Sequence, residues 1–153
     1  MLKSFTQAAA DYCAAAKNRT RQSVPWLLIL GILAGMFIAL AGTAASVGGA
    51  LAGKIASAAI FPAGLAMVIL AGSELFTGNC LFLLPLLRGD ITGGRTMGSW
   101  AVVYCGNLIG SIVIAFVVVR CGVLDSIAPA AIATAAAKAS LPFGAAFLRG
   151  VLC

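Results

Sequence analysis

Ile69-Leu70-Ala71-Gly72-Ser73-Glu74-Leu75-Phe76-Thr77-Gly78-Asn79 holds a polar, glycine-flanked island in the middle of an apolar run. The run extends from Ile55 to Leu87, and Glu74 is its only Asp, Glu, Lys or Arg. As one straight helix those 33 residues would measure about 50 Å, against about 30 Å of bilayer core. The sequence offers an interruption instead of a tilt: glycines bracket the polar residues, and Pro62 and Pro85 stand towards the two ends. Backbone that unwinds at membrane depth is tolerated only where it is buried in protein or lines a watery path. Half-helix ends meeting near the midplane are a recurrent way of holding small ions. The spacing therefore predicts a broken membrane helix whose break, Gly72 to Asn79, borders a passage for solute.

Outward from this island, charge acts as punctuation. Residues 1–21 carry Lys3, Asp11, Lys17, Arg19 and Arg21, and residues 22–53 carry no charge. Lys54 precedes the interrupted run, and Arg88, Asp90 and Arg95 close it. Residues 96–119 are again uncharged, Arg120 and Asp125 end them, and an alanine-rich connection with Lys138 leads to a last apolar stretch from Leu141 to Cys153. A spanning helix needs roughly 20 apolar residues, so spans are expected at 24–52 and 97–119, flanking a broken span at 55–87. Residues 141–153 reach only about 20 Å. They are read as the start of a fourth span, which makes the chain part of something longer. Leu2, Phe5, Ala9, Tyr12, Cys13 and Ala16 recur at helical spacing, with Lys3, Gln7, Asp11 and Lys17 elsewhere on the wheel. Residues 1–21 are thus expected to form an amphipathic interfacial helix. They lack the short apolar core and cleavage site of a signal peptide.

The expected architecture is an all-α polytopic membrane protein forming one domain over 1–153. It has an N-terminal interfacial helix, three membrane-spanning segments with the second broken, and the start of a fourth. The N-terminal segment and the Arg88–Arg95 loop share one side with six Lys/Arg, against Lys54, Arg120 and Lys138 on the other. The positive-inside bias places the N-terminus in the cytoplasm.

Composition agrees and excludes much else. Apolar residues make up 62% of the chain and charged residues 9%, whereas soluble domains average about 45–50% and about 25%. Histidine is absent, which removes Ser-His-Asp and Cys-His catalysis and His-ligated zinc. Five cysteines without a CxxC pair (Cys13, Cys80, Cys105, Cys121, Cys153) argue for small apolar residues in helices rather than a disulfide framework. The net charge of +6 is scattered between long neutral runs and is no footprint for nucleic acid. No cofactor or metal is called for. An intramembrane enzyme lacks its parts, since the spans hold no His and one acid.

Glu74 is expected to act as a structural anchor, accepting hydrogen bonds from backbone N–H groups freed at the break, because a fixed anion is a poor lining for an anion path. Gly72, Gly78 and Asn79 share that structural role. Glycines also mark packing faces: Gly35, Gly42 and Gly49 recur every seven residues in the first span, with Gly31 and Gly53 beside them, and Gly106 and Gly110 repeat the pattern in the third. Such faces let helix backbones approach closely in a polytopic bundle.

The string Ile69 to Gly78 resembles the first signature of the formate/nitrite transporter family, which includes formate, nitrite and hydrosulfide channels. Tyr104-Cys105-Gly106-Asn107-Leu108-Ile109-Gly110 in the third span is a second match, and Lys138 ahead of a helix running through Gly150-Val151-Leu152-Cys153 is a third. The resemblance runs in order through essentially the whole chain and covers about the first half of a family member. It implies an aquaporin-like, inverted-repeat channel of six helices, with the second and fifth broken, assembled as a homopentamer in the cytoplasmic (inner) membrane with a pore in each protomer. The family's central pore histidine belongs to the other half. The resemblance maps the pore constriction onto Phe61, Leu65 and Phe76, the polar pore loop onto Leu75 and Thr77, and the vestibule charge onto Lys138. The implied partners are the lipid bilayer and small inorganic or organic anions. A non-conducting membrane subunit or truncated relic, packing through its glycine faces, is the alternative.

Overall fold

The computed structural model describes residues 4–152, so the expectations that fell on Leu2, Lys3 and Cys153 lie outside the described residues. Those residues are 84% helical, with no strand among them. Helix α1, Phe5–Arg19, starts at a capping box: the Ser4 hydroxyl accepts from the Gln7 N–H at 3.3 Å, and the Gln7 side chain accepts from the Ser4 N–H at 3.0 Å. Such reciprocal capping satisfies two of the amides that a helix start leaves free. Lys17 and Arg19 occupy its last turn, where cations suit the helix dipole.

Helix α2, Val24–Ile60, begins with Pro25 in its first turn and contains a reversal at Gly53, whose φ of 83° and ψ of 179° are not helical. The first arm, residues 24–52, is about 43 Å long at 1.5 Å per residue. The second arm folds back along it: Gly49 faces Ser57, Gly48 faces Ile60, and Gly64 of α3, Pro62–Leu70, faces Ala41 and Ile38. Only glycine takes a φ of 83° without strain, so one residue turns a long apolar segment into a hairpin. Next come α4, Phe76–Asn79, a short 3₁₀ turn at Cys80–Phe82, and α5, Leu83–Leu87. Helix α6, Gly93–Arg120, runs parallel to the first arm of α2. Helices α7, Ala128–Ala139, and α8, Phe143–Leu152, meet at a 103° bend.

Val24–Leu70, which the reversal at Gly53 divides into two antiparallel arms, and Gly93–Arg120 are long and apolar enough to cross a bilayer, and the bent pair α7–α8 meets the same measure of length and composition. The chain is an all-α membrane protein. Its central seam is α2 against α6, where Gly31 and Gly35 interdigitate with Gly106 and Gly110. A Cβ on Gly106 would come within 2.9 Å of the Leu28 carbonyl oxygen and 3.0 Å of Gly31 Cα, and one on Gly31 within 3.2 Å of the Val103 carbonyl oxygen. The heptad stripe expected in α2 does not act as one face. Gly35 meets α6, Gly49 meets the returning arm of its own hairpin, and Gly42 has nothing within 4 Å. Different neighbours cover α2 at different heights, so a repeat along one helix does not face a single partner. Outside the seam, Ala16, Phe82 and Ile91 form a small core with Tyr12, Leu86 and Trp100 packed against it, which ties α1 to the α5–α6 corner.

Candidate functional site: the break between α3 and α4

Helix α3 ends in a Schellman motif. Gly72, at φ 63°, occupies the left-handed position; its N–H donates to the Ile69 carbonyl at 3.2 Å, and the Ser73 N–H donates to the Val68 carbonyl at 3.1 Å. Leu75 is extended, and α4 begins at Phe76. The chain is therefore non-helical from Ala71 to Leu75; the expected break ran from Gly72 to Asn79, and its second part, Phe76–Asn79, is the short helix α4.

Unwound backbone in a low-dielectric setting must find partners for its N–H and C=O groups, and the loop together with α4 finds them on three other elements. Asn107 of α6 contributes most: its Oδ1 accepts from the Phe76 N–H at 2.9 Å, and its Nδ2 donates to the Glu74 carbonyl at 2.9 Å and to the Gly31 carbonyl at 2.8 Å. The Glu74 N–H donates to the Leu30 carbonyl of α2 at 3.2 Å. Trp100 Nε1 donates to the Asn79 carbonyl at 2.8 Å, and the Tyr12 hydroxyl of α1 donates to the Gly78 carbonyl at 3.3 Å. Burial pushes the Tyr12 phenol above its ordinary pKa near 10, with Arg19 opposing, so at neutral pH it remains the donor that this bond requires.

Glu74 is 2% exposed, and its partner differs from expectation. The N–H groups of Ser73, Glu74 and Phe76 are engaged elsewhere, and its carboxylate faces Arg19, with Nε 3.5 Å from Oε1. Glu74 Oε2 and Asn79 Nδ2 are buried without a hydrogen bond, and Asn79 is 1% exposed. Tyr12, Arg19, Leu65, Gly72, Leu75, Thr77, Gly78 and Asn79 line one groove of about 500 Å³ beside the break. Of the sequence-derived residues, Leu65, Leu75 and Thr77 are thus brought together, with Gly72, Gly78 and Asn79. Phe76 packs edge-on against Trp100 (ring centroids 6.4 Å) and Tyr104 (5.5 Å). Phe61 caps the junction of α2 and α3 and is 49% exposed.

Lys138 stands apart from this groove, in the last turn of α7. It lines a second cavity of about 580 Å³ together with Lys54, Ser46, Ser57 and Thr134, and no acid lines that cavity. The hydroxyls of Ser46 and Thr134 donate to their own helices, to Gly42 and Ala130 carbonyls, which leaves the two ammonium groups and the Ser57 hydroxyl as donors to the cavity. Among the described residues no three His, Cys, Asp or Glu side chains converge as a metal site.

Sequence reasoning gave no role to Asn107, Trp100, Tyr12 or Arg19. Asn107 had a readable signal: it is an amide between the two glycines of a packing face in an uncharged span, where a polar group must be matched. The other three depend on tertiary placement.

Comparison with known proteins places the sequence in a family. The family described as Formate/nitrite transporter matches residues 6–153. A "Probable formate transporter" of Methanothermobacter thermautotrophicus is 35% identical, over 95% of this chain and 57% of its own length. "Formate channel FocA" of Haemophilus influenzae is 36% identical over 72% of this chain and 42% of its own length. "Nitrite transporter NirC" of Salmonella typhimurium is 36% identical over 62% and 36%. The chain spans about half the length, or less, of the curated relatives it matches.

Proposed function

The chain belongs to the formate/nitrite transporter family, and from that premise we propose that the whole protein is a membrane channel or transporter for small monovalent weak-acid anions, namely formate, nitrite or hydrosulfide. The observation that carries the reading is the pinned break, with Leu65, Leu75 and Thr77 on one groove beside it. An apolar narrowing from Phe61, Leu65 and Phe76 excludes a hydrated ion, so an anion crosses when its charge is offset or when it takes up a proton. The Thr77 hydroxyl donates to a carboxylate-like oxygen. Lys138 draws anions to the opposite mouth, and Lys54 on the same cavity adds to that field. The N-terminus is cytoplasmic, the membrane is the cytoplasmic one, and the assembly is a homopentamer.

The test is flux. Proteoliposomes carrying the whole protein take up formate, nitrite or hydrosulfide faster than empty liposomes, and no excess for any of the three ends the proposal. Lys138→Ala lowers uptake, and equal uptake by variant and wild type removes that role. The alternative, a non-conducting subunit packing through glycine faces, gains nothing from the fold: Gly31, Gly35, Gly106 and Gly110 face one another within this chain.

A further inference from the structure

A groove offered to anions beside a buried carboxylate poses an electrostatic problem. Glu74 sits in the unwound loop that forms one side of the groove, and a lone anion there would repel the solute. Among the described residues the groove's lining contains one cationic side chain, Arg19, which comes from the end of α1. Its Nε is 3.5 Å from the Glu74 carboxylate, while its side chain stays 42% exposed. The neighbouring basic groups Lys17 and Arg88 line a separate cavity with Cys13 and Asp90. The bond from Tyr12 to the Gly78 carbonyl ties α1 to α4, the short helix that follows the loop and lines the same groove, and keeps the end of α1 beside it.

We propose that Arg19 is the counter-charge of the groove: one edge of its guanidinium neutralises Glu74, and the rest faces incoming solute. The interfacial helix thereby supplies an electrostatic part of the passage, and Arg19 is a positioning and steering residue rather than a membrane-surface anchor. The consequence for flux rests on the transport reading, whereas the charge balance can be measured without it.

The experiment places Thr77→Cys in the whole protein with Cys13, Cys80, Cys105, Cys121 and Cys153 replaced by Ala. It compares the modification rates by a sulfonate-bearing and a trimethylammonium-bearing methanethiosulfonate. Thr77 and Arg19 line the same groove, and removing one charge from a partly solvated groove changes the anionic-to-cationic rate ratio at least about fivefold. Arg19→Gln lowers that ratio, Arg19→Gln with Glu74→Gln restores it to within about twofold, and Glu74→Gln alone raises it. An unchanged ratio in Arg19→Gln overturns the proposal, as does a ratio that stays low in the double variant. Should Arg19→Gln fail to fold, Glu74→Gln alone decides, because a ratio that does not rise there shows that Glu74 contributes no field to the groove. Formate uptake falls about tenfold in Arg19→Gln and returns in the double variant. A wild type without flux whose labelling ratios follow this pattern ends the transport reading and leaves the charge balance standing.

Discussion

The break between α3 and α4 and the bend between α7 and α8 are held in opposite ways. Between α3 and α4, the break is fixed from outside: Asn107 and the backbone of Leu30 take polar groups of the loop and of the first residue of α4, and Trp100 and Tyr12 take carbonyls of α4 itself. Between α7 and α8, the 103° bend is closed by local bonds alone. There Ser140 N–H donates to the Ala136 carbonyl at 3.0 Å, Leu141 N–H to the Lys138 carbonyl at 3.4 Å, and Ser140 Oγ to the Ala137 carbonyl at 3.1 Å. No residue of α7 is buried. The first break is a tertiary object whose shape depends on residues far away in sequence. The second is a turn whose shape is set where it stands, with Lys138 at its edge.

The strongest way to break this contrast is Asn107→Leu. It removes the acceptor of the Phe76 N–H and a donor to the Glu74 carbonyl, leaving two buried backbone groups unmatched. At about 1–3 kcal/mol per orphaned group, the variant loses about 3–5 kcal/mol in detergent unfolding. A loss under about 1 kcal/mol would mean that the break is held by packing rather than by its amide partner.

The next effect tests the seam that carries Asn107 to the break. A Cβ on Gly110 would overlap the Ile32 carbonyl oxygen and lie 2.9 Å from Met36 N, which is backbone that cannot step aside. Gly110→Ala therefore costs about 2–3 kcal/mol. Gly42→Ala, with nothing within 4 Å, is neutral or stabilising by up to about 1 kcal/mol. Equal costs at the two positions, from the same unfolding assay, would refute the assignment of the seam.

Trp100→Phe is milder. It keeps an aromatic ring beside Phe76 but deletes the Nε1–H that reaches the Asn79 carbonyl at 2.8 Å. The expected loss is about 1–2 kcal/mol, with the near-UV circular dichroism of the remaining aromatics preserved. A variant as stable as wild type would show that this carbonyl finds another donor.

How much of this was readable beforehand follows the same division. The length of Ile55–Leu87 and the spacing of Gly72 and Gly78 forecast the unwinding, because helix rise against bilayer thickness is arithmetic on a single segment. A reversal between the spans 24–52 and 55–87 was expected from the charge of Lys54, but the residue that makes the turn was not identified. Gly53 was counted as a packing glycine, and only its φ of 83° reveals the turn. The partners of the break were out of reach for a different reason. Tyr12 to Gly78 is 66 positions apart and Asn107 to Phe76 is 31, and no periodicity within one helix encodes such a pairing. Glu74 shows the limit most clearly: its burial and structural setting were expected, but its partner proved to be Arg19 because α1 folds under the loop.

The smallest effect belongs to the other break, and it is the one that makes the comparison falsifiable from both ends. Ser140→Ala deletes one exposed local hydrogen bond, Oγ to the Ala137 carbonyl, and leaves the backbone bond from Ser140 N–H to Ala136 untouched. An exposed turn residue with no distant partner contributes within about 0.5 kcal/mol, so the unfolding midpoint stays put, and uptake in proteoliposomes stays within about twofold of wild type because Lys138 keeps its place. If Ser140→Ala instead costs as much as Trp100→Phe, then the α7–α8 bend is also held by contacts from beyond its own turn. Lys138 would then be positioned by tertiary structure, as Arg19 is, rather than carried on a locally determined helix end.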